Sequence, residues 1–199
     1  MTTIDGPDGL ARCGWVGRDP EYLRYHDEEW GVPLHGDRAL FEKLSLEAFQ
    51  SGLSWITILK RRPGFRAAFA GFDAETVAEF TADDVARLLD DTGIIRNRAK
   101  IESTISNAGL LRDWRAAEGD GVLDRFIWSF APPPRDDADR PDALTDLAAT
   151  SPESVALSRA LRGRGFRFVG PTTAYALMQS AGLVDDHLRG CFRAGAHPR

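Results

Sequence analysis

This 199-residue chain has only two cysteines. Each stands toward one end with a histidine partner, Cys13 with His26 and Cys191 with His187. Thiolate sulfur and imidazole nitrogen are the donors of closed tetrahedral zinc sites, and four protein ligands leave no position for a reacting water. If His187 and Cys191 lie on a helix, their i, i+4 spacing puts both on one face. The residues between Cys13 and His26 allow a loop and helical turns to fold back. An ion held by all four would tie the two ends of the chain together, at an entropic cost that grows only logarithmically with loop length. The spacing alone leaves two other readings. Cys13 to His26 is not a finger spacing, so the four residues are equally compatible with unrelated core positions. A Cys13–Cys191 disulfide is the third reading. The chain opens without a charged-then-apolar signal segment, so a reducing cytoplasm is expected, which argues against the disulfide.

A hydrophobic content of 43% supports a real core in one domain or a closely packed pair. No apolar run approaches membrane-spanning length, so a soluble protein without a membrane partner is expected. The formal net charge of -5 does not by itself suggest a nucleic-acid partner. The basic residues are nevertheless grouped: Lys60, Arg61, Arg62 and Arg66; Arg96, Arg98 and Lys100; Arg159, Arg162, Arg164 and Arg167. Any one group reads as a solvated helix face. Three together fit a basic face for phosphates on an acidic protein.

Helix signals recur along the chain. Asp19-Pro20, Asp37, Asp73, Thr81 and Ser151-Pro152 read as helix starts. Leu40, Phe41, Leu44 and Ala48 repeat at helical spacing, as do Val85, Leu88 and Leu89. The longest candidate runs from about Asn97 to Ala117, Gly93 and Gly182 read as stops, and the proline-rich stretch 132–141 is an irregular connection. Strand signals are nearly absent, so the expected class is all-α, with about eight to ten helices.

Within the helix predicted over 37–51, Glu47 falls on or beside the apolar stripe. An inward carboxylate is costly unless it is paired, so it marks either a salt bridge or a pocket. Trp15, Tyr22, Tyr25, Trp30 and Trp55 favour the pocket, because aromatic walls around one carboxylate suit a flat cationic ring. Trp30 itself reads as core. The segment from Gln50 to Trp55 breaks one helix and starts another, with a sharp turn at Gly52 and Ser54 as N-cap. Its tip, Leu53, reads either as a wedge for a base stack or as an ordinary connection. Between two helical segments, Gly165, Phe168 and Gly170 shape a hairpin-like turn. Pro171 and Thr172 then open a helix whose free N–H groups suit a phosphate.

The blocks 12–15, 25–27, 29–33, 52–56, 93–96, 126–130, 165–170 and 186–187, in this order, resemble the type I 3-methyladenine DNA glycosylases from about Ala11 to Cys191. The resemblance implies an all-α helix-hairpin-helix glycosylase fold, with a structural Zn2+ on Cys13, His26, His187 and Cys191 joining the terminal segments. It implies one unit over 11–191, with a middle helical part over about 37–180 and terminal segments 11–36 and 181–191. Residues 1–10 are then expected to be a flexible extension and 192–199 a tail. Glu47 would be the catalytic carboxylate that reads the base, with Trp15, Tyr22, Tyr25 and Trp55 forming the pocket. The DNA-binding set is Gln50, Gly52, Leu53, Gly165, Phe168, Gly170 and Thr172.

The implied activity is hydrolytic release of N3-methyladenine from double-stranded DNA by base flipping, in a cytoplasmic monomer that frees 3-methyladenine. No lysine follows Lys100, so a Schiff-base lyase beside the hairpin is not expected. Some related helix-hairpin-helix glycosylases place an aspartate after the hairpin, where Asp185 and Asp186 lie, so these are candidates to activate water; Asp186, next to His187, reads alternatively as a partner that orients this ligand. The competing function is a zinc-stabilised binding module that recognises lesions without hydrolysis. A catalytic zinc hydrolase would need an open ligand position, which four protein ligands do not leave.

Overall fold

Helices begin where the capping residues stand. In this computed structural model, which describes residues 2–196, Asp19 accepts from the Glu21 N–H, Asp73 from Thr76, and Ser151 from Ser154, while Thr81 forms a capping box with Asp84. Asp37 departs from this pattern. It is the first residue of its helix, after Gly36, and its carboxylate accepts instead from the N–H groups of Gly121, Leu123 and Asp124. A residue read as a local cap is therefore a long-range cap for another helix.

Among the described residues there are nine α-helices: α1 (Pro20–Glu28), α2 (Asp37–Gln50), α3 (Trp55–Ala68), α4 (Ala74–Ala78), α5 (Ala82–Asp90), α6 (Arg98–Glu118), α7 (Val122–Trp128), α8 (Pro152–Gly163) and α9 (Pro171–Ser180). The all-α expectation holds, and the long helix lies where its cap, Asn97, places it. Helix α2 is central, packing against α3, α6, α7 and α9. Every residue from Leu40 to Phe49 except Glu42 is buried. The stripe read from the sequence is thus a helix buried nearly all round, and Glu47 has no polar face to turn to.

Phe41, Phe49, Phe65, Phe69 and Phe72, all fully buried, form a connected set of ring contacts within the main core. Each such ring contributes about 1.5–3 kcal/mol of burial. A second, smaller core joins Cys13, Tyr25, Trp30, Leu59, Leu188 and Cys191, with Trp15, Tyr22 and Trp55 packed around it.

The N-terminal segment corrects the expectation of a flexible extension over 1–10. Strands β1 (Thr3–Asp5) and β2 (Ala11–Cys13) pair antiparallel, with Thr3 opposite Cys13 and Asp5 opposite Ala11. Three-residue strands are too short to show the period-2 alternation that betrays a strand in sequence. Side chains hold this hairpin. The buried guanidinium of Arg12 donates to Asp8 at 2.7 and 2.8 Å and to Asp27 at 2.7–3.0 Å. At the other end, Phe192 N–H donates to the Ala11 carbonyl and Gly195 N–H to Asp185. Residues 192–196 thus fold back onto the body, and the remainder of the expected tail, 197–199, lies outside the described residues.

Candidate functional site

The four Cys and His donors meet. Cys13 ends β2, His26 lies on α1, and all four residues are buried, with their ligand atoms within 4.8 Å of one another. His187 and Cys191 are not helical, as their spacing had suggested. They flank a turn in which Cys191 N–H donates to the Leu188 carbonyl and Gly190 takes φ +84°.

The distances fit a tetrahedral ion. Cys191 Sγ is 3.4 Å from His26 Nε2 and 3.5 Å from His187 Nδ1, and Cys13 Sγ is 3.7 Å from His187 Nδ1. Zinc bonds of ordinary length at tetrahedral angles separate sulfur and nitrogen ligands by about 3.5 Å. The tautomers fit as well. His26 Nδ1 lies 2.8 Å from Asp27, and His187 Nε2 lies 3.1 Å from the Trp30 carbonyl, so each ring turns its other nitrogen to the centre. Hydrogen bonds from Cys13 and from both imidazoles pull the Cys191 thiol down, while Cys191 and burial push the Cys13 thiol up. The cysteines are free thiols rather than a disulfide.

Asp186 is not the partner of His187. Its buried carboxylate accepts from Tyr175 Oη, Gln179 Nε2 and Arg135, and it is Asp185 that takes the His187 N–H. Gly31 permits the close approach of the His187 ring: its φ is +78°, and a Cβ there would lie 3.0 Å from Nε2.

Beside the cluster is a cavity of about 230 Å³ lined by Trp15, Tyr22, Tyr25, Trp30, Glu47, Gln50, Trp55, Leu144, Leu147, Ala176, Gln179 and Ser180. It brings together the carboxylate and all four aromatics expected at the pocket. Helix α1 supplies Tyr22 and Tyr25, α2 supplies Glu47, and Trp55 opens α3. Tyr22 Oη accepts the Ile56 N–H, which fixes α1 against the start of α3. Trp15 stands edge-on to Tyr22 at 5.3 Å and to Trp30 at 5.1 Å.

Glu47 is 4% exposed, and its Oε1 accepts from Ser180 Oγ at 2.8 Å. Burial raises its carboxyl to about 7, against the opposing pull of the Lys43 ammonium and the Ser180 hydrogen bond. Trp55 Nε1 is buried with no hydrogen-bond partner among the described residues. Both groups retain hydrogen-bonding capacity that a ligand could use.

Several lining residues were not found in the sequence. Ser180 reaches Glu47 from 133 positions away, and Leu144 and Leu147 come from the irregular stretch between α7 and α8. Trp30, read as core, is indeed buried, but it also lines the cavity and stacks on His26. No local pattern marks these roles.

The two loops expected at DNA are both anchored by α6. Gly52, at φ +84°, turns the chain so that Leu53 is exposed, and Lys100 Nζ donates to the carbonyls of Phe49 and Ser51 at 2.8 and 2.7 Å. Seven residues on, Asn107 makes two hydrogen bonds to the backbone of Arg167 in the hairpin. Gly165 is left-handed, as is Phe168, an exposed non-glycine residue at φ +57°. Gly170 caps α9, and Thr172 is exposed in its first turn.

The basic groups divide. Lys60, Arg62 and Arg66 are paired with Asp19, Glu29 and Glu42, and Lys100 is bound to carbonyls. Arg159, Arg162 and Arg167 are exposed, with no ion pair among the described residues. Arg164 stacks on Trp114 at 3.7 Å. Arg96, just before α6, is likewise exposed with no ion pair among the described residues, so the charge open to a polyanion lies on the hairpin side and at the start of α6.

Comparisons with known proteins agree with this geometry. Residues 15–194 match the methyladenine glycosylase family. DNA-3-methyladenine glycosylase 1 of Escherichia coli (strain K12) is 46% identical over 182 residues, covering 92% of this chain and 96% of the relative. A crystal structure of 3-methyladenine DNA glycosylase I superposes with a TM-score of 0.85 at 46% identity, over 94% of this chain and 100% of that one. A structure concerned with 3-methyladenine recognition by the Staphylococcus aureus enzyme gives 0.85 at 36% identity, over 94% and 98% of the two chains.

Proposed function

This chain belongs to the methyladenine glycosylase family, and from that premise we propose that it hydrolyses the N-glycosidic bond of N3-methyladenine in alkylated double-stranded DNA, acting on a flipped nucleotide. The observation that carries this reading is a buried carboxylate lining an aromatic cavity of about 230 Å³, which Gln50 and Trp55 border on either side of the turn that exposes Leu53.

Methylation at N3 gives the adenine ring of the nucleotide a formal positive charge, and the base departs neutral. Such a leaving group needs little general-acid help. The protein's work is to extrude the nucleotide, hold it and reject ordinary adenine. Glu47 accepts hydrogen bonds from the base and favours the cationic ring electrostatically. Trp15, Tyr22, Tyr25 and Trp55 supply its stacking and edge contacts. Leu53, on the Gly52 turn after Gln50, enters the space the nucleotide leaves. The hairpin of Gly165, Phe168 and Gly170, with the free N–H groups near Thr172, holds the phosphate backbone.

The ion proposed for Cys13, His26, His187 and Cys191 is Zn2+, for which two thiolates and two imidazoles in a closed shell are a suitable donor set. When bound it supplies a cross-link between chain ends and no reaction chemistry. The working unit is 11–191, in which segments 11–36 and 181–191 brace the pocket against the middle helices 37–180, and the hairpin of β1 and β2 extends the brace. One chain supplies the whole pocket, in keeping with a monomer. Among the described residues no helix is long and apolar enough to cross a membrane, and a cytoplasmic location is part of the proposal.

The reaction is proposed to stop at base release. Lys60 is paired with Asp19 and Lys100 with backbone carbonyls, and no lysine stands on the hairpin to form a Schiff base. Incubation with alkylated duplex DNA should release 3-methyladenine and leave abasic sites uncleaved. Binding without release would instead identify a lesion-binding module, and strand cleavage at the abasic site would contradict the monofunctional assignment.

A further inference from the structure

Lys43 is buried, yet no carboxylate lies within 4.0 Å of its Nζ among the described residues. It stands one turn before Glu47 on α2, so both side chains share one stripe of the central helix. Its Nζ sits 5.1 Å from the ring centre of Tyr25 and 5.8 Å from that of Trp55, two rings that line the base cavity. Lys43 does not line that cavity. It borders a second one, of about 180 Å³, whose other charged residues are Glu28, Glu29, Glu42, Arg62 and Arg66. Ser180 lines both cavities and donates to Glu47. The ammonium therefore stands behind the aromatic wall of the pocket.

The other charges of this region lie in ion pairs, with Arg24 shared between Glu21 and Glu28. Glu29 takes a bidentate bond from Arg62, Glu42 binds Arg66, and Glu28 is exposed beside Arg24. Glu21 is held by Arg24. Lys43 and Glu47 are the buried ammonium and the buried carboxylate of this region that have no ion pair within 4.0 Å among the described residues. We propose that Lys43 is a positioning residue for base recognition, a buried cation that keeps Glu47 ionised and leaves the wall of the pocket without net charge.

This inference rests on the reading of Glu47 as the group that meets the base. In a desolvated helix core, charges one helical turn apart interact far more strongly than in water. Burial pulls the Lys43 ammonium down, while Glu47, Glu29 and Glu42 hold it up and Arg62 opposes them. Lys43 is likewise the main influence that holds the Glu47 carboxyl down against burial. From α1, Tyr22 faces the carboxylate and is itself raised, first by burial and then by the charges of Asp19 and Glu47.

The consequence suits a substrate that enters as a cation and leaves neutral. The carboxyl sits at about 7 with Lys43 beside it, so without that ammonium burial would push it higher still and Glu47 would lose its acceptor character at neutral pH. With Lys43 behind it, Glu47 offers a local acceptor, and the net charge that would hold the cationic ground state too firmly is cancelled. Only interactions that are stronger in the transition state accelerate the reaction.

Lys43, Lys60 and Lys100 are the chain's three lysines, so 13Cε-lysine labelling gives three resolved probes in the unliganded protein. In Glu47→Gln, Lys43 should titrate about one pH unit or more below its wild-type value, with Lys60 and Lys100 unmoved. Reciprocally, Lys43→Met should move the acid limb of kcat/KM for base release upward by about one unit, a loss of about tenfold on that limb. A Lys43 titration that is the same in wild type and Glu47→Gln would overturn the proposal, as would an unmoved limb in folded Lys43→Met. Gln is isosteric with Glu, so the first arm stands even if Lys43→Met fails to fold. Wild-type protein that releases no 3-methyladenine would defeat the glycosylase reading but leave the lysine titration to decide this one.

Discussion

In the Cys–His cluster each polar group has a fixed partner. His26 faces Asp27, His187 faces the Trp30 carbonyl, Cys13 Sγ accepts the Leu188 N–H, and Arg12 is shared between Asp8 and Asp27. In the neighbouring pocket the pairing is incomplete. Among the described residues, Glu47 has Ser180 alone as hydrogen-bond partner, Trp55 Nε1 has none, and Lys43 has no carboxylate within 4.0 Å. A saturated cluster is what a scaffold needs, because every unpaired buried group weakens it. A pocket works the other way, since groups held back from the protein remain for the ligand. The cluster should therefore carry stability, and the pocket should carry activity at some cost to stability.

The sharpest break of this contrast is Cys191→Ala. If the cluster holds the proposed Zn2+, removing one of its four donors should lower unfolding free energy by about 4 kcal/mol or more and abolish stoichiometric zinc. Urea denaturation with elemental analysis checks both, and an unchanged midpoint would deprive the cluster of its scaffold role. Arg12→Ala should cost less, about 2–3 kcal/mol, because it leaves Asp27 without its cation. Hydrogen exchange should then rise in the hairpin of β1 and β2 and stay slow in α6.

Glu47→Gln tests the other side, and its sign is opposite. The carboxyl sits at about 7 in the fold against an ordinary 4.5, so the native state binds the proton more tightly than the unfolded chain. Glu47 therefore destabilises the protein fully above about pH 7, and this penalty fades as pH falls toward 4.5. The variant should be more stable than wild type by about 1–3 kcal/mol at pH 8, with the gain vanishing in acid. Equal stabilities across that range would mean that the carboxylate is not strained by its burial. The smallest effect belongs to the exposed turn. Leu53→Ala should weaken binding to alkylated duplex about three- to tenfold, or about 1 kcal/mol, while stability stays within about 0.5 kcal/mol of wild type.

What the sequence made legible follows from the range of each interaction. Caps, helix periods and the hairpin glycines are local, and they place α1, α5, α6, α8 and α9 correctly. The Cys13, His26, His187 and Cys191 cluster was legible because two cysteines and two histidines are a rare combination at the ends of a chain. Glu47 stood out as a charge among apolar neighbours. The pairings that define the site are long-range, as with Ser180 on Glu47 and Asp37 on the start of α7, and no period reports them. Lys100 shows the same limit. Counted among basic residues fit for phosphate, it is bound to the carbonyls of Phe49 and Ser51. Arg12 and Asp8 likewise gave no hint that they would order a segment read as an extension.

The division between scaffold and pocket is tested most directly by measuring single-turnover release of 3-methyladenine and the thermal midpoint at pH 8, in wild type and Glu47→Gln side by side. In Glu47→Gln the rate should be lower by about a hundredfold or more, with a midpoint equal to or above that of wild type. An undiminished rate, or a rate and midpoint that fall together, would contradict that division.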